Sequence, residues 1–250
     1  MATTDLVASA PIGCYTTARF EGGSVRHAIR HARRLIRDAR AIGLEPPGED
    51  DLVGMLTARG LEAFGAGAGV IRMALRHDEG RMQLFVETRS LGEERRAWRA
   101  IVAMTRHPGP TPGAPGAKLE PSAALDRARA EAARAGVDEV LLLDGDGRVV
   151  EGARSSIFVA RADGSLTTPP IACGGVAGIA REIVLDLAPD AREAAIDSAA
   201  LADAVEIVCT NAVRGARRIE TLDGRRLEDR SGSRWSERLD ALLRSDRGPC

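Results

Sequence analysis

Apolar positions recur along this chain in two rhythms, every second residue or every third and fourth, and each change of rhythm marks an element. GCYTTARFEGGSV (13–25) alternates like a strand, breaks at Gly-Gly and resumes as a second short strand. VRHAIRHARRLIRDARAIGL (25–44) follows as a helix: Val25, Ile29, Leu35, Ile36 and Ala39 form its apolar side, and Gly43 stands near its end. A second helix is predicted over about 50–63, before the GAGAG run of 65–69. VIRMAL (70–75) and RMQLFVETR (81–89) read as strands joined by the turn residues HDEG, and WRAIVAMTR (98–106) as another strand.

HPGPTPGAPGA (107–117) interrupts the pattern. Its four prolines and three glycines suit neither a helix nor a central strand. The segment is predicted to link a smaller α/β domain, 1–106, to a larger one, 118–250. SAALDRARAEAARAG (122–136) is then a helix with Gly136 as its C-cap signal. DEVLLLDGDGRVVEG (138–152) and SIFVARADGSLTTPP (156–170) each run strand, Gly turn, strand. GVAGIAREIVLDLA (175–188) passes from glycines into a helix, and ALADAVEIVCTNA (200–212) from a short helix into an apolar strand. RRIETLDGRRL (217–227) is a hairpin, and SERLDALLRS (236–245) a closing amphipathic helix. The class is mixed α and β (α+β) in two subdomains, with antiparallel hairpins concentrated in the second.

Composition narrows the function. With 44% hydrophobic and 28% charged residues the chain is an ordinary globular protein. Its net charge of −1 lacks the basic excess of a nucleic-acid binder. No apolar run approaches the ~20 residues needed to span a bilayer. MATTDLVASAP has no basic region followed by an apolar core, so no signal peptide is expected. Cys14, Cys173, Cys209 and Cys250 are scattered, with no Cys-x-x-Cys pair and no metal-ligand spacing to a His. The first three read as buried small hydrophobes, and the compartment as the cytosol.

Lysine and arginine together number 35, and Lys118 is the only lysine among them. Guanidinium stays protonated, so arginine cannot replace lysine where a neutral primary amine is needed, as in Schiff-base chemistry. Lys118 is either such an amine, at the end of an interdomain segment, or a lysine retained by chance on a loop. Gly178-Ile179-Ala180 opens a helix whose free N–H groups suit a phosphate. The turn Thr210-Asn211-Ala212 offers further donors, or is an ordinary strand-end turn. Glu151 is a solvated hairpin charge or a carboxylate facing a pyridine nitrogen.

In order, these parts resemble the fold-type IV (class IV) pyridoxal-phosphate enzymes: branched-chain aminotransferases, D-amino acid aminotransferases and 4-amino-4-deoxychorismate lyases. The resemblance covers about 13–227. It rests on His31-Ala32-Arg33-Arg34-Leu35, similar to His-x-x-Arg-Leu, on Lys118 before a helix ending at Gly136, and on DEVLLLDGDGRVVEGARSSIF (138–158). TTPP (167–170), GVAGIAR (175–181) and ADAVEIVCTNA (202–212) complete it. The chain departs from the pattern at Pro11-Ile12, at HDEG and at Ser156, where the family has Asn.

The resemblance implies the two-subdomain fold of D-amino acid aminotransferase-like enzymes, with pyridoxal 5'-phosphate held by Lys118 as a Schiff base. It implies that Glu151 partners the ring nitrogen, and that Arg34, the backbone of Ile179 and Ala180, Thr210 and Asn211 hold the phosphate. It also implies a homodimer. Arg19 and Arg214 are candidates for the substrate carboxylate, or solvated arginines. GCYTTAR (13–19) looks most like 4-amino-4-deoxychorismate lyase, which releases pyruvate and 4-aminobenzoate. A class IV aminotransferase acting on a branched-chain or D-amino acid stays open, as does a non-catalytic family member.

Overall fold

A computed structural model describes residues 13–78, 81–227 and 235–245. The N-terminal segment read above for a leader, Pro11-Ile12, Glu79 and Gly80 of the HDEG turn, and Cys250 lie outside them. Strands β1 (Gly13–Glu21) and β2 (Ser24–Val25) form the first hairpin, followed by helices α1 (Ala28–Ala41) and α2 (Glu49–Phe64). Next come β3 (Ala68–Asp78), β4 (Arg81–Arg89), β5 (Ala97–Val102), β6 (Leu119–Glu120) and α3 (Ala123–Ala135). Then follow β7 (Glu139–Leu143), β8 (Val149–Gly152), β9 (Ser156–Ala160), β10 (Leu166–Thr168), α4 (Ile179–Leu187) and β11 (Ala191–Glu193). The described chain closes with α5 (Ser198–Ala202), β12 (Glu206–Asn211), β13 (Gly215–Leu222), β14 (Arg225–Arg226) and α6 (Trp235–Ser245).

These strands make two sheets. The first runs β2-β1-β3-β4, with β6 paired to β1. Leu35 of α1 and Leu52 and Leu56 of α2 pack with Phe20, Ile71 and Leu75 of its strands into one core. The second runs β11-β10-β9-β12-β13-β5-β7-β8, with β14 paired to β13. Its own cores gather Phe158, Ile183 and Leu239 in one cluster and Leu141, Ile157 and Ile207 in another. The mixed class expected from the pattern is the class observed, and the predicted hairpins β7–β8 and β9–β10 are antiparallel. β5 is different: it lies parallel to both β13 and β7. It precedes the proline-rich segment yet belongs to the second sheet, whereas β6 follows that segment and returns to the first. The chain therefore crosses from the second sheet back to the first along 107–117.

Two helices bring the sheets' functional edges together. The buried side of α1 is mixed: Ala32, Leu35 and Ala39 are apolar, while His31, Arg34 and Asp38 are buried polar residues. Spacings of three and four put those three on one helix face. Arg30 and Arg37 of α1 pair with Asp186 and Glu182 of α4, both at 3.2 Å. These partly exposed pairs add little stability, but they register α1 along the length of α4, from Glu182 in its first turn to Asp186 in its last. α3 stops at Gly136, whose φ of 63° is the left-handed conformation that a helix C-cap favours in glycine. Cys14 and Cys209 are buried as expected. Cys173 is half-buried instead, because it ends a one-turn surface helix, 171–173.

Candidate active site

A cavity of about 720 Å³ opens between the sheets. Eight of the nine residues expected at the site line it: Arg34, Lys118, Glu151, Ile179, Ala180, Thr210, Asn211 and Arg214. Arg19 does not. Its guanidinium is taken up by Glu21 at 2.5 Å, by Glu94, and by the carbonyl of Val213. Arg19 therefore stands apart from the other eight, paired to carboxylates outside the lining. The reason is local: Glu21 shares its face of β1, and the loop after β4 supplies Glu94.

Lys118 is fixed by its backbone. Its N–H donates to Asp38 Oδ2 at 2.9 Å, and its carbonyl accepts from the Tyr15 N–H at 3.0 Å. The amine Nζ stands 4.7 Å from the Tyr15 ring centroid, and the Arg72 guanidinium carbon 4.3 Å from the same centroid. Arg129 Nη2 donates to the Tyr15 hydroxyl at 3.2 Å. Burial alone would push this phenol up, but the charges and hydrogen bonds of Lys118 and Arg129 outweigh it and hold Tyr15 below its ordinary value.

Arg34 is 6% exposed. Its Nη2 donates to Thr16 Oγ1 at 2.6 Å, and Thr16 Oγ1 lies 2.6 Å from His31 Nδ1. Arginine only donates, so the Thr16 hydroxyl accepts from it, and the same oxygen makes the contact to His31 Nδ1. Burial, helped by the Arg34 charge, holds His31 well below its ordinary value, so the ring is neutral. Arg34 Nε is buried with no hydrogen-bond partner among the described residues. The first intrahelical bond of α4 is Glu182 N–H to Gly178 O at 2.9 Å, which leaves the Ile179 and Ala180 N–H groups unspent at the cavity wall. Thr210 Oγ1 makes one long contact, 3.5 Å to the Ser156 carbonyl. A guanidinium N–H, a helix N-terminus and a hydroxyl thus face one space, a donor set suited to a multiply charged oxyanion.

Asn211 lines the cavity, but its Oδ1 accepts from the N–H groups of Val213 and Arg214, at 3.0 and 2.7 Å, and so holds its own turn. Arg214 donates to the Leu91 carbonyl and sits 3.5 Å from Glu94, which it shares with Arg19. Glu151 is 6% exposed; its Oε2 accepts from the Val176 N–H at 3.0 Å, and its Oε1 lies 3.4 Å from His107 Nε2. Arg72, Arg89, Arg95, Arg129 and Arg154 also line the cavity, against the carboxylates Glu93, Asp138 and Glu151. The excess of cations favours an anionic occupant. Tyr15, Asp38, His107 and Arg129 were missed in the sequence. Asp38 was readable, being four residues beyond Arg34 on the same helix face.

Residues 13–222 match the family model described as amino-transferase class IV. A hypothetical aminotransferase of Mycobacterium tuberculosis, in its PLP-bound form, superposes with a TM-score of 0.80 at 25% identity, over 98% of this chain and 92% of that one. A candidate 4-amino-4-deoxychorismate lyase of Legionella pneumophila superposes at 0.80 with 21% identity, over 94% and 91%. A candidate branched-chain-amino-acid aminotransferase of Methanocaldococcus jannaschii is 44% identical over 63 residues, 25% of this chain and 22% of that protein's length.

Proposed function

This chain belongs to the class IV aminotransferase family, and from that premise we propose that it is a pyridoxal 5'-phosphate enzyme releasing pyruvate from 4-amino-4-deoxychorismate. The fit to the cofactor rests on the unspent donors. Arg34 Nε, the N–H groups of Ile179 and Ala180 and the Thr210 hydroxyl match a phosphate, and the only lysine of the chain borders the same cavity. The observation that carries the substrate is β1: GCYTTAR sets Tyr15 and Thr17 into the cavity wall beside Lys118. The cation excess of that wall suits a substrate with two carboxylates, as this one has.

When bound, the cofactor supplies an aldehyde for the substrate amine and a ring that accepts electrons from the adjacent carbon. Lys118 Nζ takes the proton from the carbon bearing the substrate nitrogen. Glu151 keeps a proton on the ring nitrogen. Arg34, the start of α4 and Thr210 hold the phosphate end still, and Tyr15 with Arg129 closes the wall behind the lysine. Arg214 becomes available to a substrate carboxylate where Glu94 yields it. Loss of the proton lets the substrate expel pyruvate and become the aromatic 4-aminobenzoate, so atoms balance without a co-substrate.

A second reading, an aminotransferase, is favoured by the 63-residue match to the Methanocaldococcus protein. In that reading Lys118 would again be the residue that moves the proton, and the bound cofactor would keep the amino group while water releases the keto acid. Fluorescence of 4-aminobenzoate, against keto-acid release from a panel of D- and L-amino acids, separates the two. Amino-acid turnover without 4-aminobenzoate overturns the lyase, and a protein that turns over nothing on the panel is the non-catalytic member. The same proposal includes a cytosolic homodimer, which light scattering tests for the assembly.

A further inference from the structure

The segment 107–117 does more than connect: it begins against Glu151 and ends at Lys118. The N–H of His107 donates to the Leu143 carbonyl at 2.8 Å, which aligns the start of the segment with the end of β7. Its ring is enclosed, with 6% side-chain exposure. An added Cβ at Gly174 would stand 2.4 Å from the Gly109 carbonyl carbon and 2.8 Å from His107 Cε1, so the 171–178 loop packs directly on the ring. Further along, the Ala177 N–H donates to the Gly116 carbonyl at 2.8 Å. Between these two contacts lies Val176, whose N–H holds Glu151 Oε2.

The tautomer of His107 follows from its other nitrogen. Gly109 N–H donates to Nδ1 at 3.1 Å, so Nδ1 is an acceptor and the ring proton belongs on Nε2. Nε2 lies 3.4 Å from Glu151 Oε1, on the oxygen that Val176 leaves open. An imidazole whose one nitrogen is held by backbone and whose other faces a carboxylate oxygen at 3.4 Å is placed to set the direction of both groups.

We propose that His107 is a positioning residue, whose Nε2–H holds the Glu151 carboxylate in the orientation that meets the cofactor's ring nitrogen. The inference rests on the reading of Glu151 as that nitrogen's partner. The proline and glycine content of the segment then has a use. The backbone must turn sharply at Gly109 to present its N–H to His107, and it must still reach Lys118 eleven residues after the histidine.

The test compares two ligands in the purified full-length apoprotein: pyridoxal 5'-phosphate, and its analogue with carbon in place of the ring nitrogen. Both keep the aldehyde and the phosphate, so a change in pocket shape weakens both. The parent protein is expected to prefer the natural cofactor. His107→Leu should weaken it about tenfold, the size of one lost hydrogen bond to a charged group, and should leave the analogue within about twofold. His107→Gln, which retains an N–H donor, should restore most of the difference. Equal weakening of both ligands, or of neither, overturns the proposal while leaving Glu151 in place. A parent protein that binds both ligands equally removes Glu151 from the ring nitrogen, and the proposal with it. Nitrogen-15 spectra of the parent apoprotein give a reading free of substitutions: Nδ1 should be the unprotonated acceptor, and the opposite tautomer overturns the proposal.

Discussion

Asp38→Ala should destabilise the protein and loosen Lys118 together. Asp38 is buried, and it splits its carboxylate: Oδ2 accepts the Lys118 N–H at 2.9 Å, and Oδ1 accepts Arg37 Nε at 2.9 Å. A hydrogen bond from a backbone N–H to a charged group contributes about 1.5–3 kcal/mol. The Arg37 side chain is 45% exposed, so its pairing adds less than about 1 kcal/mol. Removing the carboxylate also removes its own desolvation cost, which offsets part of the loss. The net effect is about 2–3 kcal/mol, or roughly 4–12 °C in melting temperature for a chain of this size. Asp38→Asn retains an acceptor for Lys118 and should lose about 1 kcal/mol. Calorimetry of the apoprotein measures the first effect, and hydrogen exchange at the Lys118 amide the second. A fall under about 2 °C for the alanine variant refutes the reasoning. So does an equal fall for Arg37→Ala, which would put the stability in the surface pair and not in the clamp on the lysine.

Four further outcomes are expected. Lys118→Ala should leave no borohydride-reducible cofactor linkage on a side chain, as peptide mass mapping reads; a label elsewhere than the N-terminal amine contradicts it. Arg34→Ala should weaken cofactor binding about ten- to a hundredfold, from the loss of a contact worth ~1.5–3 kcal/mol, and Thr210→Val should weaken it less; an absorbance titration measures both. Glu151→Gln should bind cofactor yet lose most turnover, because an amide cannot keep a proton on the ring nitrogen; a near-normal rate refutes the assignment. Burial raises the carboxyl of Glu139 above its ordinary 4.5, against hydrogen bonds from Ser155, Val140 and Arg154. A raised folded value means that its contribution is complete below about 4.5 and fades as pH climbs through the folded value. Glutamine does not titrate, so the melting-temperature deficit of Glu139→Gln should shrink as pH rises; a widening deficit refutes the sign.

The sequence carried most of the local structure. α1, α3, the β7–β8 hairpin and α4 were readable because periodicity, Gly136 and Asp-Gly turns are near-neighbour signals. The parallel partners of β5 were not, since pairing with strands 39 residues (Ala100 with Glu139) and 121 residues (Ala97 with Arg218) further along leaves no short-range trace. The same division holds at the site. Lys118 stood out by type, and the Gly178 turn by its glycines. Arg19 stayed ambiguous, because the sequence shows a cation and hides Glu94 beside it. Tyr15 and Arg129 are far apart in the chain and ordinary in type; only folding puts the guanidinium on the phenol. His107 was hidden for another reason, lying inside a segment whose prolines drew attention to chain breaking.

The crossing of β5 and β6 sets the covalent order against the folded order. A cut anywhere in 107–117 yields two fragments, and neither holds a complete sheet. The N-terminal piece would carry β5 as an apolar tail without its partners β13 and β7. The C-terminal piece would lack the strand that separates those two, and so would expose two facing sheet edges, each a template for aggregation. Such halves are built to complement one another and not to stand alone. Nicking the proline-rich segment should therefore leave the two pieces associated, with the enzyme behaving as one cooperative body until both unfold.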